Sequence, residues 1–550
     1  MEPLSLTRIP NHLLGFSFII GLFATILIIP PLVRFVGFIG FADKPSPRKI
    51  HHRAVPRVGG IGIAIGVLIP VLLWAPLDPT LFGYLVGAFV ILIGGIWDDY
   101  KSLSQQWKVL FQLVGISIAI WSGIRIEHVP FFGLDAVPDW ISYPLTFLFL
   151  LGITNATNLF DGLDGLAGGC VLLSLGVIAA FSHVATGNVI TLIALSMIGA
   201  TLGFLRFNTY PASVFMGDAG SQLLGFTTAV LSILLIERTH SALNFGLPLL
   251  ILGLPILDTG MVIVLRLKNG HSPFRPDQRH LHHQLLKVGF SHASAVALLY
   301  VIQALMVIAA YFMRFQTDLL VVAAFVSICA LVLGSIYVAR TTGFQLNGAR
   351  PDQPKERHAV QWTQITSLAT GVRRYLEFSL AALFLFVGIV FEGIPHDLAV
   401  FSLMLAAALV FAFFFMKSWS VFFSRLGVYT VGLLTSIISL SMVGGYPLGN
   451  FYFKLFLGSL VLCIIFIILF DNERPFQITP LDLLIFFLAV TVPVFAGERN
   501  LDFPIAKHAL TAGAIIYACE CVISAAPQRH RVLKISALST LVLIGIKGIL

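Results

Sequence analysis

Apolar runs of about 17–25 residues recur along this chain, separated by short polar segments, and that length crosses a hydrocarbon core of roughly 30 Å as an α-helix. A transmembrane barrel would need short strands of alternating polarity instead. With 57% hydrophobic and 11% charged residues over 550 positions, the chain has too little polar surface to fold in water. The expected fold is an all-α polytopic membrane protein. The first run, Leu13–Val33, is followed by Arg34 rather than a small-residue cleavage site, so it reads as a retained helix. Cys170, Cys329, Cys463, Cys519 and Cys521 lie inside apolar runs without metal-ligand spacing and are expected as buried free thiols.

The formal net charge of +8 would suggest nucleic acid in a soluble chain, but in a membrane protein it reflects Lys and Arg held on the cytoplasmic face. No nucleic-acid partner is expected. Loop Gly37–Arg57 carries Lys44, Arg48, Lys49, Arg53 and Arg57, so the positive-inside rule makes it cytoplasmic and places the N-terminus outside. Helices expected at Val58–Trp74 and Leu81–Trp97 return Asp98-Asp99 to the same side. Pairs near Val109–Ile126 and Ile141–Thr154, Leu166–Ala185 and Val189–Leu205, and Gln222–Ile236 and Phe245–Leu265 then return Asn155–Gly169, Phe207–Ser221 and Lys268–His292 in turn. Every interval is even, so these polar segments share one face. An Asp at the centre of a spanning helix costs about 2.5–3.5 kcal/mol. Asp98, Asp99, Asp161, Asp164 and Asp218 instead gather at helix ends on one side, which describes a polar basin open to the cytosol.

Helices near Ala293–Met313 and Leu319–Val338 complete a core of about eleven over residues 1–338. Ala339–Arg374, with Arg340, Arg350, Lys355, Arg357, Arg373, Arg374 and two prolines, reads as a basic cytoplasmic linker and domain boundary. About seven further helices follow in residues 375–550, near Tyr375–Val390, Leu398–Met416, Leu426–Val443, Phe451–Phe470, Leu481–Phe495, Ile505–Ile523 and Val532–Leu550. The sequence assigns this block no role. Its most unusual ionisable residue is Glu520, read as an interfacial carboxylate near the cytoplasmic end.

Four segments carry the chemistry, each with a plainer alternative. Asp98-Asp99 is either a solvated helix terminus or a carboxylate pair beside a divalent cation or a Lys, and Lys108 follows ten residues after Asp98. Asn155, Asn158 and Asp161 are spaced three apart and Asp164 continues the series, which aligns them on one helical face. The glycines at 162, 165, 168 and 169 fit a packing face, but packing alone does not explain four polar residues in register. Asp218, between Gly217 and Ala219-Gly220, is either an N-cap or an Mg²⁺ ligand. His280, His282 and His283, with Arg275, Arg279 and Lys287, suit diphosphate or sugar contact better than zinc, since no Cys accompanies them. A membrane-surface basic loop would explain the arginines but not the histidines.

Taken in order, D-K-P-S-P-R-K-I-H-H-R-A-V-P-R-V-G-G, W-D-D-Y-x7-K, N-A-T-N-L-F-D-G-L-D-G-L, Y-P-A-S-V-F-M-G-D-A-G-S and R-H-L-H-H-Q-L-L resemble the bacterial polyprenyl-phosphate N-acetylhexosamine-1-phosphate transferases of glycosyltransferase family 4. The likeness spans Asp43–Gly289, and the helix topology extends it to about Tyr337. It implies transfer of a sugar 1-phosphate from a UDP-sugar to undecaprenyl phosphate, with release of UMP, at the cytoplasmic face of a bacterial inner membrane. The R-H-L-H-H form resembles the enzymes that use UDP-GlcNAc-type sugars, with UDP-GalNAc or a deoxy-acetamido sugar left open. Glu127–Trp140 resembles the family's extracytoplasmic hairpin.

The resemblance also assigns roles. It implies Mg²⁺, or Mn²⁺ in its place, held by Asp218 with help from Asn158. Lys108, His282 and His283 would neutralise diphosphate charge, and Asp161 and Asp164 would hold the uridine side. Lys44, Arg48, Asn155, Arg279 and His280 join the substrate-binding set. Asp98 and Asp99 are bases or orienting groups; because a phosphate monoester has a second pKa of about 6, the acceptor needs little deprotonation and orientation is preferred. The bilayer is a partner and a second copy of the chain is a candidate one. The rival function, a transporter of nucleotide-sugar or lipid-linked sugar, would place polar residues near the midplane on broken helices rather than at one face.

Overall fold

The computed structural model describes residues 9–39, 42–43, 55–129, 137–185, 188–239, 243–270, 279–342, 363–392, 394, 396–415, 420–443, 447–470, 505–525 and 530–549. Among them the chain is helical apart from one antiparallel pair, β1 (Ala42–Asp43) with β2 (Val55–Pro56). Among the described residues eight helices are long and apolar enough to cross a membrane. The described residues fall into two compact units, one holding the helices up to Thr341 and the other those from Thr363 onward.

The first unit contains α1 (Asn11–Ile39), α2 (Gly59–Trp74), α3 (Pro79–Lys101), α4 (Gln105–Trp121), α5 (Asp139–Phe160), α6 (Leu166–Val184) and α7 (Asn188–Asn208). It continues with α8 (Gly217–Arg238), α9 (Leu247–Ile251), α10 (Gly253–Lys268), α11 (Leu281–Val288), α12 (His292–Met313) and α13 (Asp318–Thr341). At its centre stands α8, buried continuously from Ala219 to Ile236 and packed against α2, α3, α5 and α6. Small residues permit that enclosure. A Cβ on Gly60 would stand 2.3 Å from the Gly220 nitrogen, and one on Gly95 would stand 2.4 Å from the Ala219 Cα, so α2 and α3 touch the first turn of α8 backbone to backbone. That contact brings Asp98 and Asp99 to Asp218.

Three features differ from the expected boundaries. Asp98 and Asp99 lie in the last turn of α3, and α5 runs on through Asn155 and Asn158 to Phe160 rather than stopping near Thr154. Polar side chains end a helix in water, but here each finds a partner on a neighbouring helix. The segment expected as one helix, Phe245–Leu265, is broken into α9 and α10 at Leu252. Pro255 lacks the N–H that would have reached the Ile251 carbonyl. That carbonyl accepts instead from Ser174 Oγ at 2.6 Å and Gln303 Nε2 at 2.8 Å, while Gln303 Oε1 accepts from Leu254 N at 3.1 Å. Finally, the histidine loop contains a short helix, α11.

In the second unit lie α14 (Thr363–Val390), α15 (His396–Phe415), α16 (Ser420–Val443), α17 (Pro447–Phe470), α18 (Ile505–Ala525) and α19 (Arg531–Ile549). The helix expected at Leu481–Phe495 lies outside the described residues. Leu376, Leu380, Phe384, Val431, Ile515 and Leu541 form part of its core. Glu520 accepts from Arg425 Nη2 at 3.1 Å and from the Tyr429 hydroxyl, and Glu377 faces His530 at 3.1 Å. All five cysteines are free; Cys170, Cys519 and Cys521 are buried, and Cys329 and Cys463 half-buried.

The backbone contact at α8 predicts that Gly95→Ala costs about 1–3 kcal/mol, read as a lower unfolding midpoint in detergent. Gly152→Ala, where nothing lies within 4 Å of the added carbon, leaves the midpoint unchanged or slightly raised.

Candidate active site

Two adjacent carboxylates at the end of α3 point to different partners. Asp98 pairs with Lys108 Nζ and accepts from Leu103 N at 2.7 Å, fixing the turn between α3 and α4. Lys108, in the first turn of α4, also donates to Asp218 Oδ2 at 3.0 Å. One ammonium therefore joins carboxylates from α3 and α8. Asp99 turns the other way: its oxygens accept from the backbone N–H groups of Asp218 at 3.0 Å and Ala219 at 3.1 Å, and Arg57 Nη1 lies 3.5 Å away. It caps α8 from another helix, satisfying N–H groups that no residue of α8 itself can reach. Gly217 sits at φ +72, and a Cβ there would meet Asp99 Oδ2 at 2.3 Å, so this approach requires glycine. With the cap supplied by Asp99, the Asp218 side chain is released toward Lys108.

From α5, Asn158 Oδ1 accepts from Ser221 Oγ at 2.6 Å, placing its amide beside the first turn of α8. Asn155 lies one turn deeper. Its amide donates to Gln112 Oε1 at 2.9 Å and to the Leu151 carbonyl at 2.8 Å, and accepts from Gln112 Nε2 at 3.3 Å. Gln112 also donates to Gln222 Oε1 at 2.9 Å.

Past the end of α5, Asp161 is partly buried, and loss of solvation, followed by the charges of Asp218, Asp164 and Asp99, raises its carboxyl to about 7. The next residues are clamped on several sides. Asp164 Oδ2 accepts from Ala212 N at 2.9 Å, and Asp164 N donates to His292 Nε2 at 3.2 Å. Gly165, at φ +81, donates to Asn208 Oδ1 at 2.9 Å, and its carbonyl accepts from the Tyr300 hydroxyl at 2.6 Å.

The histidine segment closes on this turn. Asp258, fully buried in α10, accepts from His280 Nδ1 at 2.7 Å and from Leu281 N at 2.6 Å, so it both orients the imidazole and caps α11. His282 is buried against Gly162, where a Cβ would come within 2.3 Å of His282 Nε2. Burial, followed by its neighbouring histidines, lowers His282 to about 3, so it stands there as neutral imidazole. His283 is lowered too, by burial first and then by His280 and Lys287. Arg279 is exposed, and its carbonyl accepts from Gln284 Nε2 at 2.7 Å. Lys44, Arg48 and Arg275 lie outside the described residues.

Thus Asp98, Lys108, Asn158, Asp161 and Asp218 come together at one end of the unit, with His282 seated on the Asp161–Asp164 turn. Asp99 and Asp164 reach the same region as backbone anchors, and Asn155 lies beneath it. Arg57, Gln112, Ser221, Gln222 and Asp258 join the site without having been assigned from sequence. Gln112 and Gln222 stand four residues after Lys108 and Asp218, a same-face spacing that marks them in retrospect.

Among the described residues no three His, Cys, Asp or Glu side chains form a ready metal cage. Mg²⁺ needs none: it takes one or two carboxylates and completes its shell with water and phosphate oxygens. Asp218 and Asp98 converging on one ammonium, with the amide oxygen of Asn158 nearby, fit a divalent cation.

The glycosyl transferase family 4 model matches residues 81–236. Over 307 residues the chain is 41% identical to the "Probable undecaprenyl-phosphate N-acetylglucosaminyl 1-phosphate transferase" of Bacillus subtilis, covering 55% of this chain and 85% of that protein. It is 33% identical over 316 residues to the "Decaprenyl-phosphate N-acetylglucosaminephosphotransferase" of Mycolicibacterium smegmatis, covering 51% and 76%. With the "Undecaprenyl-phosphate alpha-N-acetylglucosaminyl 1-phosphate transferase" of Escherichia coli K12 the identity is 31% over 278 residues, covering 49% and 75%. Each alignment leaves nearly half of this chain or more unmatched.

Two outcomes follow from the geometry. Asp99→Ala, by uncapping α8, costs about 1–2 kcal/mol in unfolding measurements. For Asp161 the folded-state value of about 7 lies above the ordinary 3.8, so between these values the folded chain holds a proton that the unfolded chain has lost. Stability therefore falls as pH rises through that window. Asp161→Asn removes the penalty, and in EDTA its gain in unfolding midpoint over the parent grows between pH 5 and pH 8. A gain independent of pH would contradict this assignment.

Proposed function

This chain belongs to glycosyl transferase family 4, and on that footing we propose that it transfers N-acetylglucosamine 1-phosphate from UDP-GlcNAc to undecaprenyl phosphate. The products are undecaprenyl diphosphate-GlcNAc and UMP, made at the cytoplasmic face of a bacterial inner membrane. The observation that carries this reading is Lys108 joining Asp98 and Asp218. It puts a cation and two carboxylates from three helices at one end of the unit, a set of charges that suits the phosphates of a lipid acceptor and a nucleotide donor. The named activities of the similar proteins support the donor sugar and the polyprenyl acceptor.

In the reaction an oxygen of the acceptor phosphate bonds to the sugar-bearing phosphorus of the donor, and the bond from that phosphorus to the oxygen bridging to UMP breaks. Alignment and charge neutralisation supply most of the acceleration in such transfers. Bound Mg²⁺, held by Asp218 and Asn158, would supply positive charge to the diphosphate oxygens. Lys108 brings the fixed positive charge for the phosphate oxygens. Asp98 orients it: one Asp98 oxygen holds Lys108 and the other accepts from Leu103 N, so its geometry suits positioning better than proton removal. The acceptor, with a second pKa of about 6, is largely dianionic at neutral pH and has little proton to give. His282, as neutral imidazole beside the Asp161–Asp164 turn, offers a hydrogen bond rather than a charge.

The test is UMP release by the purified chain given undecaprenyl phosphate and a panel of UDP-sugars, with and without Mg²⁺. UDP-GlcNAc is expected to be the best donor, Mg²⁺ to be required, and Lys108→Met to lower kcat by about 100-fold or more. Absence of UMP release with every sugar, while Asp218→Ala leaves nucleotide binding intact, would sink the enzymatic reading. Asp98→Asn should lower the rate without altering the basic limb of the pH–rate profile. Loss confined to low pH and recovered as pH rises would instead make Asp98 the base.

A further inference from the structure

Directly beneath the residues proposed for phosphate chemistry lies a second polar layer, in which Gln112 and Gln222 have no assigned role. Gln112 is four residues after Lys108 on α4, Gln222 is four after Asp218 on α8, and Asn155 is three before Asn158 on α5. Because α4 and α8 begin at the site and α5 ends there, all three amides lie about one helical turn deeper, roughly 5 Å into the bundle. Each residue of the upper layer thus has an amide below it on its own helix. The three amides are joined to one another through Gln112, which donates to Gln222 Oε1 at 2.9 Å and exchanges bonds with Asn155 at 2.9 and 3.3 Å. Gln112 and Gln222 are buried.

We propose that Gln112 and Gln222 are positioning residues for the transfer reaction: with Asn155 they lock the axial register of α4, α5 and α8 so that Lys108, Asn158 and Asp218 meet. The proposal rests on the transferase reading of the site. Apolar contacts between helices tolerate sliding, whereas a slip of one residue moves a side chain by 1.5 Å along the axis and breaks bonds of this kind. The layer is needed here because the contacts above it are soft. Lys108 is a flexible four-carbon stem shared between two carboxylates, and the bond from Ser221 to Asn158 comes from a rotatable hydroxyl. Neither fixes the helices at the tolerance that phosphoryl transfer demands, where an error of 1 Å far from the reacting atoms costs about 100-fold in rate. The planar amides, exchanging paired bonds, do. The burial of Gln112 and Gln222 also separates the role from substrate contact.

The experiment uses the full chain, purified in detergent, with UDP-GlcNAc, undecaprenyl phosphate and Mg²⁺, and compares Gln112→Leu, Gln222→Leu and the double variant. Each single variant is expected to lower kcat by about 10- to 100-fold and to lower the unfolding midpoint, because it leaves a buried amide unpaired. KM for UDP-GlcNAc should stay within about threefold of the parent, as for groups that do not touch the donor. In the double variant the Gln112–Gln222 pair is replaced by apolar side chains while Asn155 keeps its bond to the Leu151 carbonyl, so the midpoint recovers but kcat does not. Recovery of kcat together with the midpoint would overturn the proposal, reducing the amides to a contribution to stability. A raised KM at unchanged kcat would overturn it differently, by placing the amides in contact with substrate. An inactive parent chain would instead defeat the transferase reading itself.

Discussion

A helix that starts inside a membrane protein exposes N–H groups that neither water nor its own preceding turn can satisfy, and the first turn of α8 is such a start. Asp99 meets that need from α3, and much of the site follows. The carboxylate holds α3 against α8, which requires glycine at 95 and 217 so that the two helices can approach. It also leaves the Asp218 side chain, in the first turn of α8, to face Lys108. The partial positive charge of the α8 terminus and the Arg57 guanidinium together offset part of the cost of burying the Asp99 carboxyl. Asp98, one residue earlier and about 100° around α3, is directed to the chemistry instead.

Much of this arrangement was readable in one dimension. Counting helices by even intervals put Asp98, Asn158, Asp161 and Asp218 at one end, and the structure brings them together, because apolar runs of spanning length leave polar residues few places to go. Family likeness supplied the functional direction, and the similar proteins agree with it. Other features depended on contacts that no linear pattern encodes. Two neighbouring aspartates look alike in sequence, and only the packing of α8 separates the one that caps its first turn from the one that holds Lys108. Asn155 had the spacing of a ligand-facing residue, but Gln112 consumes its amide. The break at Leu252 needed Pro255 together with Ser174 and Gln303 from other helices, since membrane helices often carry proline without breaking. Asp258 sat unremarked in an apolar run until its partners, His280 and Leu281, gave a buried carboxylate its reason.

The C-terminal unit shows the same economy on a smaller scale. Glu520, unusual in sequence between two cysteines, is met by Arg425 and Tyr429 from α16, and Glu377 on α14 faces His530. Such pairs keep charge within a bundle at moderate cost because each carboxylate finds a donor on another helix. They add cross-links to the unit's apolar core and do not by themselves indicate chemistry.

The span between partners has a consequence for biosynthesis. Lys108 and Gln112 meet Asp218 and Gln222 only after another 110 residues of chain. At ordinary elongation rates of about 5–20 residues per second, that delay lasts about 5–20 s. During it α4 stands in the bilayer with Lys108 paired to Asp98 alone and with a glutamine whose α8 partner has not yet left the ribosome. Lys108 can wait in the headgroup region, but Gln112 lies a turn deeper and must find interim company, most readily Asn155 on α5, which arrives much sooner. The amide layer then grows in the order of synthesis, with α4 and α5 joined first and α8 inserted last as the strut that completes them.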